Sequence, residues 1–132
     1  MIERKKIVKG NKMFDINKCD QVKIEQGMFY LGESTKEKSV GYLELNPNSS
    51  LTLHNRWGGI ENLTQVEGKC VMVVFDGDQG TNYKLDKGDK LRIKPEGVWH
   101  IHVNPFDETS LTYWHFEGDI RKIIESIRKG AE

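Results

Sequence analysis

Turn-forming residues divide most of the chain, from residue 21 to residue 117, into short strand-like segments. Apolar and polar residues alternate in residues 51–56, as expected for a strand with one face toward a core. Residues 70–75 are apolar throughout, which is typical of a strand covered on both faces. About eight to ten short strands with closely spaced turns predict an antiparallel sandwich or barrel.

The periodicity changes near the C-terminus. Four isoleucines follow at the i, i+3, i+4, i+7 spacing of one helix face: Ile120, Ile123, Ile124 and Ile127. Asp119 is a candidate N-cap and Gly130 a candidate stop. We therefore predict one helix over about residues 119–129, after a barrel over about residues 21–117. We expect the apolar stripe to pack on the barrel as a lid, and a helix that binds a partner is the alternative.

Composition indicates one ordinary soluble domain of 132 residues. Lys plus Arg equals Asp plus Glu, 20 each, and this balance disfavours a dedicated nucleic-acid binder. Residues 1–12 carry a net charge of +4, which suits a solvated tail or edge strand, with an arm that binds nucleic acid or another anion as the alternative. There is no signal-peptide pattern, no apolar run that could span a membrane and no disulfide framework. We expect a cytoplasmic protein with no membrane partner.

Three of the four histidines fall in the middle of the strand-like region. His54 and Arg56 are two residues apart, so a strand would turn both side chains to one face. The same holds for His100 and His102. Such polar side chains need a partner or a bound ligand if they are buried. If Glu61 reaches the same point, His54, Glu61 and His100 supply two imidazoles and one carboxylate, a donor set suited to Fe, Mn, Ni or Zn.

Two stretches of the sequence resemble the two motifs of the cupin superfamily. The first motif has the form His-x-His, three or four residues, Glu, six residues, Gly, and this chain has at those places His54, Arg56, Glu61 and Gly68. The second has the form Pro-x-Gly, two residues, His, three residues, Asn, and this chain has Pro95, Gly97, His100 and Asn104. The resemblance implies an all-β fold, with residues 1–132 forming one antiparallel jelly-roll barrel that carries a C-terminal α-helix. It also implies a homodimer.

Arg56 stands where the superfamily usually has a second metal-binding histidine. A guanidinium stays charged and cannot bind a metal. In one interpretation, His54, Glu61 and His100 still hold one divalent transition metal, and Arg56 binds an anionic substrate beside it. In the other, Arg56 pairs with Glu61, the metal is lost, and the barrel holds a small ligand through hydrogen bonds.

His102 faces the same way as His100 in the predicted strand. It is a candidate acid or base and a candidate substrate contact, and a barrel histidine that is hydrogen-bonded to a neighbour is the alternative. The sequence thus predicts a small metal-binding cupin that acts on or binds a small anionic molecule. A metal-free binding or sensing cupin is the alternative, and a structural dimerisation unit is a third hypothesis. The superfamily includes dioxygenases, isomerases, epimerases and decarboxylases, so the reaction type stays open.

Overall fold

The computed structural model describes residues 13–52, 54, 58–94 and 97–130, and it shows two β-sheets and one α-helix. The strands are β1 Asp20–Ile24, β2 Gly27–Ser34, β3 Lys38–Leu45, β4 Ser49–Ser50, β5 Gly59–Glu67, β6 Cys70–Asp76, β7 Gln79–Leu85, β8 Lys90–Ile93, β9 His100–Asn104 and β10 Ser110–Gly118. Helix α1 spans Arg121–Arg128, and a 3-10 helix spans Ile16–Lys18.

The strands form a larger and a smaller sheet. The larger has the order β1-β2-β3-β10-β5-β8, and the smaller has the order β4-β9-β6-β7. Each pair of neighbouring strands that the structure describes is antiparallel. Burial alternates residue by residue along β5 and β9, so each strand turns one face toward the space between the sheets. The predicted all-β fold with one C-terminal helix is confirmed.

The hydrophobic core lies between the two sheets and α1. Leu45 and Leu63 come from the larger sheet and Met72 from the smaller one, and none is more than 2 % exposed. Burying a side chain of this size contributes about 1.5–3 kcal/mol. Ile124 and Ile127 of α1 are buried in the same core, so the helix packs on the barrel.

The alternation of residues 21–31 breaks at Gly27 and by itself predicts one strand with a bend there, but these residues form part of a hairpin. Strands β1 and β2 pair with Ile24 opposite Gly27, around a turn at residues 25–26. A Cβ at position 27 would lie 1.9 Å from the Glu44 carbonyl oxygen. The glycine therefore allows β2 to lie close against β3, and the sequence pattern alone does not show this contact.

The helix begins later than the sequence suggested. Its N-cap is Ile120 and not Asp119, although the Asp119 carboxylate still accepts the backbone N–H of Arg121 at 3.2 Å. With eight residues, α1 is short. Among the described residues, no helix is long and apolar enough to cross a membrane.

Candidate functional site

Strand β9 presents three polar side chains to the space between the sheets. His100, His102 and Asn104 are buried, whereas the two residues between them are only partly buried. His54 lies opposite His100 in an isolated β-bridge. The His54 N–H donates to the His100 carbonyl oxygen at 3.0 Å, and the His100 N–H donates to the His54 carbonyl oxygen at 2.8 Å. Backbone pairing therefore fixes the two histidines against each other.

Glu61 reaches the same point from the larger sheet. It lies on β5, opposite Phe116 on one side and Ile93 on the other, and is 8 % exposed. Its Oε1 is 3.0 Å from His100 Nε2. The rings of His54 and His100 have centroids 4.4 Å apart at an interplanar angle of 74°. We call His54, Glu61 and His100 the His–Glu cluster.

Backbone carbonyls determine which ring nitrogen of each clustered histidine carries hydrogen. His54 Nδ1 is 2.8 Å from the Thr52 carbonyl oxygen, and His100 Nδ1 is 2.9 Å from the Val98 carbonyl oxygen. Because a carbonyl oxygen can only accept, both Nδ1 atoms donate. In the neutral rings the lone pair is then on Nε2. Metal-binding histidines commonly have this arrangement, with the second nitrogen tied to a carbonyl or carboxylate.

The donor types of the His–Glu cluster fit a divalent transition metal. Metal–nitrogen and metal–oxygen bonds are about 2.0–2.2 Å long, so two ligands at right angles lie about 3.0 Å apart. His100 Nε2 and Glu61 Oε1 have this separation. In the described part of the chain, no group of three or more His, Cys, Asp or Glu has a complete metal-binding arrangement as it stands. Completing the set therefore requires a side-chain adjustment.

Some predicted residues lie outside the described residues: Arg56, Trp57 and Pro95. Arg56 carries the predicted anion-binding role. Of the other tryptophans, Trp114 is buried and Trp99 is 50 % exposed.

Asn104, the last residue of the second motif, holds a loop in place. Its Nδ2 lies 2.8 Å from the Glu108 carbonyl oxygen and 3.0 Å from that of Asn46, and its Oδ1 accepts the Phe106 N–H at 3.2 Å. The Asn104 side chain therefore fixes the turn that follows β9. Gly68 of the first motif has φ +66°, and a Cβ there would lie 2.4 Å from the Thr109 carbonyl oxygen. Both residues are structural.

A second buried polar cluster, which we call the Gln65 network, adjoins the His–Glu cluster. Its members are Gln65, Cys70, His102, Ser110 and Thr112. Gln65 Nε2 donates to the Glu67 carbonyl oxygen at 2.8 Å and to Ser110 Oγ at 2.9 Å. Gln65 Oε1 accepts from Thr112 Oγ1 at 2.7 Å and from Cys70 Sγ at 3.2 Å. Because the Glu67 carbonyl can only accept, the orientation of the Gln65 amide is fixed.

The Gln65 network also fixes the tautomer of His102. Thr112 gives its hydroxyl hydrogen to Gln65, so its oxygen accepts from His102 Nε2, 3.3 Å away. His102 therefore carries its hydrogen on Nε2. This is the opposite tautomer to that of the two histidines in the His–Glu cluster.

His102 is neutral near pH 7. Burial lowers the pKa of its imidazole to about 4; the Glu61 carboxylate opposes this shift, and His54 and His100 add to it. With Nε2 committed to Thr112, the lone pair is on Nδ1. His102 can therefore accept a hydrogen bond or a proton at Nδ1, but it has no proton to give there.

Sequence reasoning did not identify the partners of His102. Gln65 and Thr112 are 1 % and 0 % exposed and lie on the buried faces of β5 and β10. The available signal was the alternation of β5, which places Gln65 on the same face as Glu61 and Leu63. Which strand would lie beside β5 could not be read from that alternation.

A small cavity lies between α1 and the barrel. Its volume is about 20 Å³, room for about one water molecule. Its polar wall is formed by His54, Glu61 and His102. Trp114 forms part of its apolar wall, and the Trp114 indole N–H is buried with no hydrogen-bond acceptor among the described residues. His54 and Glu61, two of the three predicted metal ligands, thus meet the predicted acid or base His102 at one cavity.

Comparison with known proteins rests on the fold, because no protein-family model and no curated protein sequence matches the chain. Oxalate decarboxylase from Bacillus subtilis superposes with a TM-score of 0.71 and 22% identity over 79% of this chain and 29% of that one. Oxalate oxidase in complex with glycolate superposes with a TM-score of 0.59 and 14% identity over 62% of this chain and 42% of that one. Peruvianin-I, a cysteine peptidase from Thevetia peruviana latex, superposes with a TM-score of 0.58 and 19% identity over 62% of this chain and 51% of that one. The chain thus spans about half or less of each protein.

These comparisons define the class of the protein as an antiparallel jelly roll of two sheets with a polar site between them. Oxalate oxidase and oxalate decarboxylase are both cupins. The fold of this chain is similar to that of these two proteins, in agreement with the resemblance of its two sequence motifs to those of cupins. Sequence identities below 25% are evidence for a similar fold only, and the three proteins named differ in activity.

Proposed function

We propose that this protein is a small cupin that binds one divalent transition metal through the His–Glu cluster and holds a small anionic molecule beside it. The observation that carries the proposal is the buried Glu61 carboxylate, 3.0 Å from His100 Nε2. The Nδ1 atoms of His54 and His100 are tied to carbonyls, which directs the other nitrogen of each ring to ligand binding. Fe, Mn, Ni and Zn all accept this donor set.

Two proteins of similar fold support the proposal. The Bacillus subtilis oxalate decarboxylase has Mn(II) centres, and the oxalate oxidase binds the substrate analogue glycolate. Both names refer to small carboxylic acids. For this chain they favour a divalent metal and an anionic ligand, and they leave the reaction type open.

Each predicted site residue has a distinct role in the proposal. When bound, the metal supplies a Lewis acid that polarises a ligand oxygen. Arg56 pairs with the carboxylate or phosphate of the ligand. Of the two roles predicted for His102, acid or base, the base role fits its tautomer, because Nδ1 can accept a proton or hydrogen bond while Nε2 is committed to Thr112.

A metal-free binding or sensing cupin is the second candidate. Two observations favour it: Glu61 and His100 contact each other directly, and no complete metal-binding group is present among the described residues. In this form the cavity would hold the same anionic ligand through hydrogen bonds, without catalysis.

Elemental analysis of purified, tag-free protein that has not met a chelator separates the two candidates. We expect about one Fe, Mn, Ni or Zn per chain, and at least a tenfold loss in a His54→Ala/His100→Ala variant, because two of three ligands are gone. His115→Ala is the matched control, since His115 lies on β10 outside the cluster.

Absence of metal from the wild-type protein, even after reconstitution with each of the four ions, would contradict the metal-binding form and leave the metal-free cupin. Equal loss of metal in His115→Ala would show that the bound ion is not in the His–Glu cluster. Circular dichroism of all variants confirms that the fold is retained.

We also propose a homodimer, because β1, β8, β4 and β7 end the two sheets and sheet edges need cover. Light scattering checks this proposal, and the mass of one 15.2 kDa chain would contradict it. The cytoplasmic location stays a prediction from the sequence.

A further inference from the structure

We infer that the ligand of this site is amphipathic, a monocarboxylic acid with a hydrocarbon body. Its carboxylate lies at the His–Glu cluster and its hydrocarbon part lies under α1. The inference rests on the proposed function, since it takes the anionic ligand from there, and it adds the chemical class of the rest of the molecule.

The walls of the cavity divide by polarity. His54, Glu61 and His102 form the polar part of the wall. His54 and Glu61 both contact His100. The other lining residues that the structure describes are apolar, and in the barrel they include Phe29, Leu43 and Phe116. A ligand that is charged at both ends would have to bury one charged end against these apolar side chains, which is costly without a partner. A ligand with one charged end and a hydrocarbon body matches both walls.

Helix α1 supplies the wall that can give way. Four isoleucines on or next to the helix line the cavity: Ile120, Ile123, Ile124 and Ile127. The opposite wall is made of strands such as β3 and β10, each paired on both sides within the larger sheet. In the part of the chain that the structure describes, no backbone hydrogen bond joins α1 to a strand. Side-chain packing is therefore the main attachment of the helix.

Other contacts that hold α1 are weak or flexible. Arg128 and Asp20 form an ion pair at 3.0 Å, but both side chains are exposed, and exposed pairs contribute little. A helix of eight residues has little stability of its own. Gly118, at the end of β10, is held in the sheet, since its N–H donates to the Glu37 carbonyl oxygen at 2.8 Å, so a movement of α1 would begin after this residue.

The size of the cavity requires such a movement. About 20 Å³ holds one water molecule and excludes even a short hydrocarbon chain. A hydrocarbon body that enters would replace contacts between the isoleucines and the barrel with contacts of the same kind. The apolar surface of α1 therefore stays covered whether the site is filled or empty, and this makes the exchange energetically feasible.

Isothermal titration with straight-chain monocarboxylates from acetate to decanoate, each below its micelle concentration, tests the inference. The titrations use the full chain with its metal content as purified, and again after chelation, and oxalate is the short dianion for comparison. We expect affinity to rise with chain length, by up to about fourfold per methylene until the space is filled. Oxalate should bind more weakly than octanoate.

A helix variant locates the effect. Ile123 is only partly buried, so Ile123→Asn places a polar group in the wall at little cost to the fold. We expect octanoate to bind at least tenfold more weakly to this variant and acetate to change less than twofold. Ser126→Asn, on the exposed side of the same helix, is the matched control and should leave both affinities unchanged.

The outcomes distinguish this inference from the proposed function. If affinity is independent of chain length, or highest for oxalate, the inference that the ligand has a hydrocarbon body is wrong, and the proposal of an anionic ligand stands. Failure of every acid to bind, with and without metal, overturns both. If Ile123→Asn does not fold, the wild-type series decides alone. If affinity rises with chain length but a folded Ile123→Asn variant binds octanoate as the wild type does, the hydrocarbon part does not lie under α1.

Discussion

The barrel contains two buried polar clusters that differ in kind. The Gln65 network consists of neutral groups, and every hydrogen-bonding atom of the Gln65 amide has a protein partner. The His–Glu cluster consists of titratable groups, and two of its three residues line the cavity with His102. His102 belongs to both regions, because its Nε2 is held by Thr112 while its ring forms part of the cavity wall. Burial of polar atoms alone therefore does not mark a site.

The difference follows from the free energy of burial. Neutral groups that pair completely with one another cost little to bury and help to fix a unique core. Imidazoles and a carboxylate cost more, because each charged form loses its hydration. Titratable groups that gather beside a cavity are typical of functional sites, whereas a saturated neutral network is typical of structure. We therefore expect substitutions in the two clusters to have opposite effects on stability and binding.

Gln65→Leu should produce the largest effect on stability. It removes the partner of Ser110, Thr112 and Cys70 in a site that is 1 % exposed. Each buried group that loses its partner costs about 1–3 kcal/mol, so we expect the free energy of unfolding to fall by about 4 kcal/mol. Urea denaturation measures the change. Metal content per folded chain should stay the same.

The control for Gln65→Leu is Thr64→Val, which makes a polar residue apolar on the other face of the same strand. We expect it to change the free energy of unfolding by less than about 0.5 kcal/mol. The distinction between the clusters would fail if Gln65→Leu abolished metal binding in protein that remained as stable as the wild type.

Thr112→Val should have a smaller effect on stability and a specific effect on His102. The substitution keeps the shape of the side chain but removes the oxygen that accepts from His102 Nε2. We expect a loss of about 1–3 kcal/mol in the free energy of unfolding. The ring of His102 should then populate both tautomers, which ¹⁵N chemical shifts of the imidazole report. A spectrum that still shows hydrogen on Nε2 alone would mean that another group sets the tautomer.

Thiol labelling tests the network without changing its stability. Burial raises the pKa of the Cys70 thiol to about 12, although the hydrogen bond with Thr112 opposes this, so almost no thiolate is present at pH 8. Burial, followed by the charges of Asp15 and Asp20, also raises the pKa of Cys19, but Cys19 is partly exposed. We expect iodoacetamide to modify Cys19 slowly in native protein and both thiols in denaturant, as mass spectrometry shows. Equal labelling of the native thiols would mean that the network opens readily.

Much of the fold and part of the candidate site could be predicted from local sequence. Strands such as β9 alternate in burial, and the two-residue spacing of His100 and His102 fixed their common face before any partner strand was known. The isoleucine stripe predicted the buried face of α1 for the same kind of reason, since helical periodicity is local. Spacing within one element depends only on backbone geometry, and a sequence displays it directly.

Contacts between elements could not be predicted in this way. The Gln65 network joins β5, β6, β9 and β10, and no local pattern showed that Gln65 would meet Thr112 across 47 positions of sequence. Pairing of Ile24 with Gly27 in a hairpin was not predicted, because the need for glycine at position 27 comes from the Glu44 carbonyl oxygen on the neighbouring strand β3. The tautomer of His102 depends on two such contacts, that of Gln65 with Thr112 and that of Thr112 with His102.

The sequence by itself determined an all-β barrel, the common face of His100 and His102, and the residue types that could bind a metal. Only the tertiary structure decided that Glu61 lies 3.0 Å from His100, that the Gln65 network holds His102 in the Nε2–H tautomer, and that α1 lies over a cavity with one polar and one apolar wall. The physical reason is that hydrogen-bond direction and burial depend on which strands become neighbours in space, whereas periodicity depends on the backbone of a single strand or helix.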